Sequence, residues 1–185
     1  MESSVNTFLE NDQLNYLYDY SDKTINQCSG LELNDFALFK VTEITYEDES
    51  PRKEAIENFL STMRIKGFNL IFLLIGEKDK TSFYYGVAKD LTQSINQLSA
   101  TDVGEKLLKT SITGNFRGSK VLLVEKSDKE KIAKKIQDLN NVCIIDGVPG
   151  INEDKENFQG MDRFVDTMQG DEYVLIITAK SLPNE

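Results

Sequence analysis

The chain has 185 residues, 39% of them hydrophobic and 28% charged, an ordinary globular composition with enough apolar material for one sizeable core. Its 31 acids against 21 bases give a net charge of −10, which argues against a surface that grips a phosphate backbone by itself. Histidine is absent, so Ser-His-Asp and Cys-His mechanisms, an imidazole general base and histidine-containing zinc sites are all excluded.

Residues 1–34 read as an N-terminal arm or packed helical segment, and residues 35–185 as a single α+β domain. The start "MESSVNTFLEND" carries an acid where a secretory signal needs bases and an apolar stretch. The most apolar run, Phe68 to Ile75, is far shorter than the roughly 20 residues of a membrane helix. Cys28 and Cys143 lie far apart in sequence and are expected to be reduced, Cys143 as a small buried hydrophobe in "NVCIID". These readings place the chain in the cytoplasm, without a membrane span.

The predicted elements follow in order. "DFALFKVTEITYED" (Asp35 to Asp48) reads as a long strand. Ser50 and Pro51 open a helix as cap and first residue, and Ile56, Phe59, Leu60 and Met63 share its apolar face up to a stop at Gly67. "FNLIFLLIG" is apolar on both alternating faces, as befits a strand covered on both sides in the middle of a sheet. After the short loop "EKDK", Phe83, Tyr85 and Val87 alternate with smaller or polar residues, which predicts a hairpin. Gly86 in its second strand marks a bulge or a close approach by a neighbouring element.

Leu91, Ile95 and Leu98 suggest a short helical stretch, and Val103, Leu107 and Leu108 a second helix running toward Gly114. The strand "KVLLVE" follows. In "SDKEKIAKKIQDLN" Ile132, Ile136 and Leu139 line one face, Ser127 is the expected cap, and Lys129, Lys131, Lys134 and Lys135 form a solvated basic surface. "NVCIID" is the next predicted strand. Met161, Phe164, Val165 and Met168 then repeat at helical spacing as core fillers, Gly170 closes that helix, and "EYVLIITA" is the final strand. The pattern as a whole predicts an α+β fold with a mixed β-sheet, an early hairpin, and alternating helices and strands thereafter, the helices packed on the sheet.

No catalytic, cofactor-binding or metal-binding residue stands out. The acidic clusters Glu47 to Ser50, Asn152 to Asn157 and Asp171 to Tyr173 lack the alternation of a calcium loop and read as solvated loops. Only three residues separate Gly114 from Gly118, and Ser119 intervenes before Lys120, so "TGNFRGSK" departs from GxxxxGK(S/T) and reads as a helix stop and turn. "DGVPGIN" (Asp146 to Asn152) reads as a turn leaving a sheet, whose backbone suits an anion.

The order of "VTEITYEDESPRKEAIENFLSTM", "FLLIGEKDKTSFYYGVA", "LLKTSITGNFRGSKVLL", "DGVPGIN" and "MDRFVDTMQGDEYVLIITAKSLP", from Val41 to Pro183, resembles the region ahead of the motor domain in bacterial HerA/FtsK-like ATP-binding proteins. The resemblance implies a non-catalytic N-terminal accessory domain, with ATP and Mg confined to a following RecA-like domain and DNA contacted through that motor. GxxxxGK(S/T) is absent from these residues, so no catalytic residue of the family carries over. The implied role is subunit assembly or protein-protein interaction, by self-association or with a protein partner. The alternative is a small stand-alone ligand-binding protein or enzyme, with a site at the Gly114 to Gly118 and Gly147 to Gly150 turns and carboxylates beside them.

Overall fold

The structure, a computed structural model, describes residues 32–44, 52–91, 98–145, 147 and 161–180. Residues 1–31 with Cys28, the Ser50–Pro51 helix start, Ile95, and the acidic clusters at 47–50 and 152–157 lie outside them. The described chain is an α+β fold: a five-stranded sheet in the order β4-β1-β3-β2-β5, with four helices.

β1 (Phe36–Glu43) is followed by α1 (Arg52–Thr62), then by β2 (Phe68–Glu77) and β3 (Lys80–Lys89). β2 and β3 pair in unbroken antiparallel register from Phe68 opposite Lys89 to Glu77 opposite Lys80, so the hairpin turns on Lys78 and Asp79. The register is fixed because both faces are occupied: Leu74 meets Phe83 on one face and Leu73 meets Tyr84 on the other. Gly86 is a close-approach residue with no bulge beside it. A Cβ there would sit 2.6 Å from the Ala37 carbonyl oxygen and the Leu38 side chain of β1.

α2 is one helix of three segments, Ala100–Val103, a π-helical Gly104–Lys109, and Thr110–Asn115. Ser99 caps it, its hydroxyl accepting from the Asp102 amide at 2.9 Å and donating to the Asp102 carboxylate at 2.6 Å. β4 (Lys120–Leu123), α3 (Lys126–Gln137), α4 (Met161–Thr167) and β5 (Tyr173–Lys180) complete the order. The turn between α2 and β4 uses Gly118 at φ 84°, while Gly114 is still helical.

One face of the sheet carries Ala37, Phe39, Val87 and Val121 against Phe59 of α1, Met63 in the turn after it, and Val103, Leu108 and Ile112 of α2. Each large side chain fully buried there stabilises the fold by about 1.5–3 kcal/mol. The other face carries Leu38, Leu73, Ile75 and Tyr84, covered by Val124 and Ile132 of the α3 region.

Several expectations are corrected. Every strand pair is antiparallel, so the sheet is not mixed. The predicted strand at "NVCIID" is irregular over Asn141 to Ile145. Cys143 within it is exposed rather than buried. Of the predicted stripe only Phe59 in α1 and Met63 in the turn after it are buried, because Ile56 and Leu60 fall to the side where no element covers them among the described residues. Ser127 lies inside α3, whose N-cap is Glu125 without a side-chain cap bond.

Candidate functional site

A cleft of about 380 Å³ opens where α3 leaves the β4 edge of the sheet. Lys40, Tyr84 and Leu122 stand in one row across β1, β3 and β4, since Lys40 is in register with both of the others. Their side chains therefore project from the same face. Leu123 and Val124 continue the wall, and Asp128, Lys131 and Ile132 descend from α3. Tyr84 and Val124 are buried, whereas Leu122 is 59% exposed at the mouth.

Lys129 sets the position of α3. It follows the helical spacing of Ile132 and Ile136 and therefore points inward. Its Nζ donates to the carbonyl oxygens of Leu33 at 3.1 Å and Phe36 at 2.8 Å, and lies 5.1 Å from the centre of the Phe36 ring. Burial pushes this ammonium below its usual range. At the far end of the helix, Lys135 donates to Glu77 at 2.8 Å. Hydrogen bonds from Lys135 and Lys80 hold the Glu77 carboxyl below its ordinary value.

Within the cleft, Lys131 is engaged by Asp128 at 2.7 Å, and that bond pushes the lysine upward. Lys40 brings a second ammonium, and Tyr84 a phenol. The walls are apolar, and the rim carries Lys40 and Lys131 against Asp128, one net positive charge, an arrangement that takes an apolar side chain with a carboxylate next to it. It supplies no nucleophile with a base beside it.

The glycine turns are elsewhere. Gly114 and Gly147 have open space around them, none of Gly114, Gly118 and Gly147 lines the cleft, and residues 148–150 lie outside the described residues. Asp171 and Glu172 are exposed ahead of β5. Of the four lysines expected on a solvated helix face, Lys134 is exposed with no side-chain bond among the described residues; Lys129 is buried, Lys135 bridges to the hairpin, and Lys131 lines the cleft. No group of three or more Cys, Asp or Glu residues able to hold a metal occurs among the described residues.

No family model, curated protein or solved structure matches the chain.

Proposed function

We propose that this chain is a non-catalytic assembly module, the accessory part of a HerA/FtsK-like ATPase acting on DNA, and that it holds a neighbouring subunit through the cleft at the β4 edge. The observation that carries the reading is Leu122: a large apolar side chain, 59% exposed, on a strand whose outer edge has no partner among the described residues, at the mouth of an apolar cleft. Such an edge accepts an extended peptide by strand addition, with side chains entering the adjoining cleft. Lys40, the rim charge that Asp128 does not offset, favours a peptide with a carboxylate, and the chain's own excess of acids provides such segments. The same excess disfavours direct contact with DNA, which leaves DNA to the motor.

Light scattering on the isolated chain over a range of concentrations tests this. Self-association is expected, and Leu122→Lys should weaken it by about tenfold or more, the loss of one buried apolar anchor. ATP turnover by the isolated chain, or association indifferent to Leu122→Lys and to Lys40→Glu, would overturn the assignment.

A further inference from the structure

Leu122 and Ile176 stand at the two ends of a single row across the sheet. Leu122 is in register with Lys40, Lys40 with Tyr84, Tyr84 with Leu73 and Leu73 with Ile176, so these side chains all project from the cleft face. The two end members are exposed by 59% and 47%. Each belongs to a strand whose outer edge has no partner among the described residues, β4 on one side and β5 on the other. From Tyr173 to Ala179 β5 holds no charge of the kind that guards an exposed edge.

Every pairing in the sheet is antiparallel, so β4 and β5, four steps apart, run in the same direction. A second copy shifted sideways along the sheet therefore lays its β5 beside β4, parallel to it and with the faces matched. The partner subunit's Ile176 then lies next to Leu122 on the cleft face, and the partner subunit's Ile177 next to Leu123 on the other. The strand starts also meet. Ahead of β5 stand the exposed acids Asp171 and Glu172, beside Glu77 with Lys80 and Lys135, one net negative charge for the five. Where β4 begins stand the exposed bases Arg117 and Lys120, with Glu43 on Lys120 at 2.6 Å, one net positive charge for the three. Pairing β5 with β5 on matched faces would be antiparallel and would bring the acids to Lys180, whose ammonium is already bonded to the buried Asp90 at 2.8 Å.

We infer that the segment received at the β4 edge is β5 of a second copy of this chain, so that the sheet continues from subunit to subunit. This rests on the assembly reading and names its partner: Ile176 supplies the apolar side chain at the cleft mouth, and Asp171 and Glu172 bring their carboxylates to Arg117 and Lys120. The contact is heterologous, each chain giving β5 and receiving at β4, and such contacts form rings where the rotation between copies closes.

The test uses the full chain. Leu122→Lys and Ile176→Lys, both at exposed positions, are each expected to weaken self-association by about tenfold or more. Mixed in equal amounts they should recover a dimer with one chain of each, because the first keeps an intact β5 edge and the second an intact β4 edge. In a Cys28→Ser, Cys143→Ser background, Leu122→Cys mixed with Ile176→Cys under mild oxidation should give a disulfide-linked pair with one chain of each, since neighbouring strands about 4.8 Å apart lie within disulfide reach. The lysine mixture stands even where a cysteine variant misfolds. Association weakened by Leu122→Lys but indifferent to Ile176→Lys, no recovery on mixing, or disulfides only between like variants would overturn this inference and leave assembly through the β4 edge standing. A parent chain that does not associate at all would overturn both.

Discussion

The ring of Phe39 occupies the place where a side chain on Gly104 would begin. Phe39 is fully buried in β1, and Gly104 opens the π-helical segment of α2, so the helix reaches the sheet by giving up a side chain at the crossing. The Thr110 hydroxyl donates to the Glu105 carbonyl oxygen at 3.4 Å, five residues back, as a π-turn places it. Gly104→Ala must displace Phe39 and is expected to cost about 1–3 kcal/mol of stability. Gly114→Ala, in the same helix but with open space around it, is expected to gain about 0.5–1 kcal/mol. Urea denaturation of the two variants should show shifts of opposite sign.

Removing the Lys129 ammonium leaves two carbonyl oxygens without their donor and takes a cation from the Phe36 ring. Lys129→Ala is expected to lose about 1–3 kcal/mol. Lys134→Ala, on the exposed side of α3, should stay within about 0.5 kcal/mol of the parent. Thermal melting distinguishes them.

The attachment of α3 to the hairpin is acid-labile. Glu77 titrates below its ordinary value of 4.5, so the folded state holds its proton more weakly than the unfolded state does. Its contribution is complete above that value and fades as pH falls through the depressed one. Stability measured across this acid range should fall with a shallower slope in Glu77→Gln than in the parent.

The Tyr173 phenol oxygen is buried without a hydrogen-bond partner among the described residues, while its ring packs on Gly76 and meets Phe164 of α4 edge-on at 5.2 Å. Tyr173→Phe keeps the ring and deletes the unsatisfied oxygen. It is expected to be neutral or stabilising by up to about 1 kcal/mol, whereas Tyr173→Ala should cost about 3–5 kcal/mol. Calorimetry of the two variants checks both.

The hairpin was legible in the sequence because its information is local: alternating apolar residues on either side of a short polar loop determine partner and register together. The helices α2 and α4 were legible for a similar reason, through apolar positions about one helical turn apart, Val103 with Leu107 and Leu108, and Met161 with Phe164, Val165 and Met168. Strand order was not, since nothing near Leu74 announces that its other neighbour is Leu175. "NVCIID" misled because strand propensity specifies a residue's preference and not whether an edge is reached. Of the candidate cleft, Lys131 belongs to a helix the sequence singled out, but Lys40 and Tyr84 come together only through the β1–β3 register. The buried state of Lys129 had a signal, its spacing with Ile132 and Ile136, hidden by the other lysines around it.

The pairing of Leu74 with Leu175 also bears on how the molecule is made. During synthesis β2 and β3 emerge together and can zip at once, yet the second flank of β2 stays open until β5 leaves the ribosome. At usual elongation rates that interval is on the order of 10 s. For that time the most apolar strand of the chain presents an unfilled backbone ladder to the crowded cell, a window in which a chaperone has something to hold.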